Sequence, residues 1–234
     1  MKEQAMERAS VFALAAVLLV SLALAGKGSA GLPEDPRDIP REAQLTVTRT
    51  TADLDRDGRP EGLILVNAMT GEQDPARASE VVVGITAPDE GDRRGALLWS
   101  RHVMSETGRP AHDGELTVVD LDGDGRQELI LTWDRSLSPK RIDRWAEIYA
   151  TEQLRQPRKI WEGAWERDTR RDPRTPAAER EWFRREIDYR ATRKAAGRAV
   201  VFVKRIGMAA GKAVDPPKGV QERVDVALRR PPRG

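Results

Sequence analysis

Two stretches of this chain are almost the same sentence, and that repetition constrains the fold more than any other feature. Residues 51–66 read TADLDRDGRPEGLILV and residues 118–132 read VVDLDGDGRQELILT. In each, aspartate holds loop positions 1, 3 and 5, glycine position 6, arginine position 7 and glutamate position 9, and an apolar run begins at once. The first set is Asp53, Asp55, Asp57, Gly58, Arg59 and Glu61; the second is Asp120, Asp122, Asp124, Gly125, Arg126 and Glu128. The two first aspartates lie 67 residues apart (120 − 53). A chain that repeats at this period is built from stacked copies of one supersecondary unit.

The spacing has a chemical reason. Alternate carboxylates on a tightly curled loop converge on one hard cation, the glycine permits the sharp turn, and a position 7 carbonyl and a position 9 carboxylate complete an oxygen shell. Six to eight oxygens at about 2.3–2.6 Å suit calcium better than the smaller, more rigid magnesium octahedron. A helix–loop–helix hand is disfavoured, because its position 12 glutamate is replaced by Ile64 and Leu131. The flanks TVTRT and LTVVD before the loops, and LILV and LILT after them, are β-branched and strand-like. The loops are therefore expected between strands. Asp-rich turns also occur as solvated hairpin loops that bind nothing. Against that, four carboxylates repel one another in each compact loop unless a cation neutralises them.

The two segments resemble the calcium loops of FG-GAP and VCBS-type repeats, the units that build the β-propeller of integrin alpha chains. The family's acidic positions 1, 3, 5 and 9 and its glycine at 6 are matched in both loops, over residues 43–165, while the Phe-Gly and Gly-Ala-Pro signature is not visible. The resemblance implies four-stranded antiparallel blades, stabilised by calcium and used mostly for binding. The expected fold is all-β, with blade-like antiparallel sheets of an incomplete or open β-propeller type, behind an N-terminal signal or anchor helix.

Further apolar runs support the repeat. EVVVGI (80–85) and ALLWS (96–100) follow the first loop; WAEIYA (145–150) and KIWEGAW (159–165) follow the second, with Trp99 and Trp161 at comparable places. A degenerate third copy starts at Asp188, where EIDYRATRKAAGRAVVFVKR keeps a strand–turn–strand outline without the other acidic ligands, so no calcium is expected there. Residues 166–234 form this basic copy and a C-terminal strand. Pro176 opens a short helix toward Trp182, while REWFRREIDY reads equally as helix or strand. Two or three blades fall short of the four that a closed propeller needs. Oligomerisation, pairing of residues 220–228 with an early strand, or an open stack are the alternatives.

Residues 11–25, VFALAAVLLVSLALA, carry no charge and span roughly 22 Å as a helix, short of a hydrocarbon core of about 30 Å. This reads as a secretory signal over residues 1–30, cleaved after Ala30 in preference to Ala25, with an uncleaved membrane anchor as the alternative. Residues 31–42, GLPEDPRDIPRE, read as a linker. The expected location is secreted or periplasmic. The absence of cysteine excludes a disulfide scaffold, a cysteine zinc site and a thiol nucleophile.

The net charge of +2 hides an acidic half and a basic one. Residues 1–134 hold 14 Lys+Arg and 24 Asp+Glu (14 − 24 = −10), and residues 135–234 hold 26 and 14 (+12). The basic half, with Arg170, Arg171, Arg174, Arg184, Arg185, Arg193, Lys194, Lys204 and Arg205, is either a solvated face or a surface for an anionic polymer. Nucleic acid is not the expected partner of an exported chain. Both histidines, His102 and His112, fall in RHVMSETGRPAHDGE, read as a polar loop between strands in which they are simply exposed. The six tryptophans are expected to pack between sheets.

These observations point to a calcium-binding β-repeat protein acting in recognition or scaffolding, with an envelope or extracellular protein or glycan as partner. Asp53, Asp55, Asp57, Glu61, Asp120, Asp122, Asp124 and Glu128 supply side-chain oxygens, Arg59 and Arg126 main-chain carbonyls. Calcium there is structural. The rival reading is an envelope hydrolase acting on glycans or phosphoesters, centred on His102, Glu106, His112 and Asp113, with the repeats as scaffold.

Overall fold

The computed structural model describes residues 44–69, 79–91, 95–104, 111–136, 138–226 and 228. The expected signal or anchor, the linker and Glu106 lie outside these residues. The described chain is all-β, with two antiparallel sheets. Among the described residues no helix is long and apolar enough to cross a membrane.

The first sheet is a four-stranded meander of β1 (Gln44–Ala52), β2 (Glu61–Met69), β3 (Ser79–Thr86) and β4 (Leu97–Met104), in that order. The second begins as the same meander: β5 (His112–Val119), β6 (Glu128–Asp134), β7 (Ile142–Ala150) and β8 (Arg158–Asp168). It then continues into β9 (Trp182–Ile187), β10 (Ala199–Ala209) and β11 (Lys212–Asp225). The junction is brief, with Glu166, Arg167 and Asp168 of β8 opposite Arg184, Phe183 and Trp182 of β9. Each acidic stretch sits between the first two strands of its meander, as the β-branched flanks demanded.

Strand alternation fills the space between layers. Leu63 and Leu65 of β2, and Val81, Val83 and Ile85 of β3, meet Leu129, Leu131 and Trp133 of β6 and Tyr149 of β7. The opposite face of that second meander, with Ile130 and Ile148, meets Val200 and Phe202 of β10. Period-2 strands buried on both faces read as continuous apolar runs, and for this reason β6 is buried along ELILTW. Equivalent residues recur at both interfaces. Leu54 and Trp99 pack between the first two layers, and Leu121 and Trp161 between the second and third. Trp133, Trp145 and Trp165 also pack between layers.

The structure corrects three expectations. β11 pairs with β10, not with an early strand. The short helix from Pro176 ends after a single 3-10 turn, Ala177–Glu179, and WFRREI (Trp182–Ile187) forms strand β9 with Phe183 facing the core and Arg184 solvent. The histidine segment is not all loop. Arg101–Met104 end β4 with Val103 buried, and His112 opens β5. Neither histidine is simply exposed. His102 keeps 16% of its side chain accessible and bonds Glu80 at 2.8 Å. The His112 ring bonds the Ser136 carbonyl and the Asp113 carboxylate, both at 2.9 Å.

Between β9 and β10, where a degenerate third copy is expected, a short helix, α1 (Tyr189–Lys194), stands in place of an acidic loop. Asp188, at position 1, caps it by accepting from the Ala191 amide at 2.9 Å. Ala199 opens β10 where Glu61 opens β2 and Glu128 opens β6.

Candidate metal centres

The two acidic loops fold alike. The position 1 carboxylate accepts from amides later in its own loop: Asp53 from Asp57 (3.1 Å) and Gly58 (3.0 Å), Asp120 from Gly123 (2.6 Å) and Gly125 (2.9 Å). Position 3 accepts from position 5, Asp55 from Asp57 and Asp122 from Asp124, each at 3.2 Å. Position 5 accepts from position 7, Asp57 from Arg59 at 2.8 Å and Asp124 from Arg126 at 2.9 Å. These are the local side-chain-to-backbone bonds that make aspartate a turn former. The coil also needs left-handed backbone at positions 4 and 6. Gly58, Gly123 and Gly125 supply it at φ of 83°, 80° and 89°, and Arg56 at 68° is the one residue with a Cβ among the four.

The position 9 glutamates have a second duty that spacing alone did not suggest. Glu61 accepts from the Leu54 amide and Glu128 from the Leu121 amide, each at 2.9 Å and each seven residues apart. Each bond ties the strand after the loop to the leucine at position 2, which is fully buried in both copies. The glutamates are themselves buried, at 2% and 4% exposure. Burial, with the charges of Asp122, Asp124 and Asp120, pushes the Glu128 carboxyl up to about 7 against the lowering effect of the Leu121 amide. Glu61 is raised by the same causes, burial first and then Asp55 and Asp57.

Carboxylate oxygens converge in both loops. Asp53, Asp55 and Glu61 offer oxygens within 4.8 Å of one another, and so do Asp120, Asp122 and Asp124. Each group can hold a metal ion, and an all-oxygen donor set suits a hard cation. The groups differ at one member. Asp57 stands outside the first and Glu128 outside the second, so the convergent positions are 1, 3 and 9 in one loop and 1, 3 and 5 in the other. The Arg59 and Arg126 amides donate within their loops, and the Arg59 guanidinium reaches Glu90 at 3.4 Å. Among the described residues the histidines join no such group.

The loops also touch each other. Arg56 Nη1 donates to the Asp124 main-chain oxygen at 2.8 Å, and its guanidinium covers Gly125, where a Cβ would come 2.9 Å from Nη1. The Gln127 amide donates to the Leu54 carbonyl at 3.1 Å, and the buried Thr151 hydroxyl lies within bonding distance of that carbonyl, at 3.2 Å, and of the Gln127 carbonyl. Arg193 of α1 lies along Gly123 on the other side. Nothing in the sequence marks Thr151 as a partner, since it is 97 residues from Leu54.

No family model, no curated protein and no solved structure matches the chain.

Proposed function

We propose that this is an exported calcium-stabilised β-repeat protein of the FG-GAP or VCBS type, an open propeller-like stack that serves recognition or scaffolding outside the cytoplasm. The observation that carries the reading is the repeated convergence of three carboxylates on a loop that presents oxygen donors, with a buried position 9 glutamate held by a leucine amide in each copy. A divalent ion in each loop would be held by Asp53, Asp55 and Glu61, and by Asp120, Asp122 and Asp124, with Asp57, Glu128 and the carbonyls of Arg59 and Arg126 completing the shells. It would lock position 2 leucines into the layer interfaces and so stiffen the stack.

Binding only to the folded state adds RT ln(1 + [L]/Kd), about 2.7 kcal/mol at one hundred times Kd. The test is a thermal melt of the chelator-treated protein titrated with calcium and, separately, magnesium. A calcium-selective rise of several degrees is the expected result. Equal melting with and without either ion would reduce both loops to hairpin turns and remove the support for the repeat family.

A further inference from the structure

The cations of the basic half fall into two populations. Some are answered by a carboxylate: Arg158 by Glu152, Lys159 by Glu147, Arg167 by Asp143, Arg170 by Asp168, Arg185 by Glu222, Arg205 by Glu186 and Arg223 by Asp225. Those on and just after α1 are not. Arg190, Arg193, Lys194 and Arg198 are exposed, and among the described residues none pairs with a carboxylate. From Tyr189 to Arg198 there is no acidic residue at all.

The fold holds these groups outward. Thr192 is fully buried and accepts the Val201 amide at 3.0 Å, which fixes the inner side of α1 against β10. Arg190, Arg193 and Lys194 stand at i, i+3 and i+4 as exposed like charges that repel, with the Arg193 stem lying along Gly123 of the second acidic loop. Arg190 also occupies the first turn, where a cation is unfavourably placed against the helix dipole. Tyr189, one turn before Arg193, keeps 42% of its surface exposed, and among the described residues Ile142, at 36%, is the other exposed large hydrophobic.

We infer that this patch binds an acidic glycan. Guanidinium groups take carboxylate or sulfate in paired hydrogen bonds, and an exposed tyrosine ring offers a face to a sugar ring. A lipid surface would ask for an apolar face on the same side, and α1 turns its small residues inward. A patch of one and a half turns meets a few charged groups, not the long groove that follows a nucleic-acid backbone. The inference takes up the recognition half of the proposed function and does not depend on the cations in the loops.

The test measures binding of the full-length chain to two probes, a sulfated heparin octasaccharide and an octamer of galacturonate, with and without chelator. These separate sulfate from carboxylate recognition. The variant Arg190→Ser/Arg193→Ser/Lys194→Ser is expected to bind the preferred probe about tenfold more weakly. A control of equal charge on the β11 edge, Lys212→Ser/Lys218→Ser/Arg223→Ser, is expected to change it less than about twofold. Tyr189→Ala should weaken binding while leaving its salt dependence intact. Where the triple variant melts lower than the parent, the single exchange Arg190→Glu carries the same comparison. Equal losses in patch and control, no binding of either probe by the parent, or tighter binding of anionic phospholipid vesicles or single-stranded DNA through the same residues would overturn the proposal. Loss of calcium-dependent melting with glycan binding intact would sink the proposed cation role and leave this inference standing.

Discussion

Arg56 of the first acidic loop donates to the main-chain oxygen of Asp124 in the second, 68 residues away, from a backbone held at φ 68°. Left-handed backbone costs a residue with a Cβ about 1–2 kcal/mol, and a hydrogen bond returns about 1 kcal/mol. The link therefore offsets strain that glycine, as at Gly123 in the other loop, would not incur.

Arg56→Ala keeps the strain and loses the bond, so we expect it to destabilise by about 1 kcal/mol in urea unfolding. Arg56→Gly removes both and should be close to neutral. A larger loss in the glycine variant would mean that the guanidinium matters for more than this bond.

The layer interfaces should respond alike to equivalent truncations. Leu54 and Leu121 are both fully buried at position 2 of their loops. Each change to alanine leaves a cavity and should cost about 2–5 kcal/mol. Denaturant midpoints measure it, and a negligible cost at either site would contradict the packing described.

Loss of a cation ligand should be visible only when the cation is present. Asp120→Asn is expected to abolish most of the calcium-dependent rise in melting temperature contributed by the second loop, while the chelated variant melts close to the chelated parent. A matched loss in both conditions would assign Asp120 to turn formation alone, through its bonds from Gly123 and Gly125.

Glu128 gives a pH dependence with a definite sign. Burial and the three aspartates raise its folded value from the ordinary 4.5 to about 7. A raised value means that the folded state binds the proton more tightly, so the stability linked to it is present below pH 4.5 and is lost as pH rises through about 7. In chelator, the melting temperature of the parent relative to Glu128→Gln should fall over that window. Calcium should remove the fall, because a bound cation favours the carboxylate. A flat difference in chelator would show that the Glu128 environment is less enclosed than described.

Glu147 ties the first sheet to the second. It is 2% exposed and accepts from Arg101 at 2.9 and 3.0 Å, from the Tyr149 hydroxyl at 2.6 Å and from Lys159 at 3.2 Å. Burial alone would raise its carboxyl, but these donors outweigh it and hold it below the usual value. Glu147→Ala strands the buried tyrosine hydroxyl while Arg101 and Lys159 still reach water, so about 2–3 kcal/mol should be lost. The depressed value also means that this contribution fades as pH falls through the folded value. Urea unfolding at neutral and acidic pH checks both statements.

The sequence by itself determined the strands around each acidic loop, the loops' place between first and second strands, and the candidate ligands. These are local matters. Period-2 apolar runs, glycine at a left-handed position and alternate aspartates act within a dozen residues, so they survive reading without the fold. Only the tertiary structure decided that β9–β11 extend the second sheet, that His102 and His112 lie on strands with separate partners, and that position 9 glutamates clamp leucine amides. It also decided which three carboxylates converge in each loop, and which cations of the basic half are left unanswered. Those facts turn on contacts between segments far apart in the chain, such as Leu54 with Thr151 or Arg185 with Glu222, where packing chooses among partners that composition makes equally available.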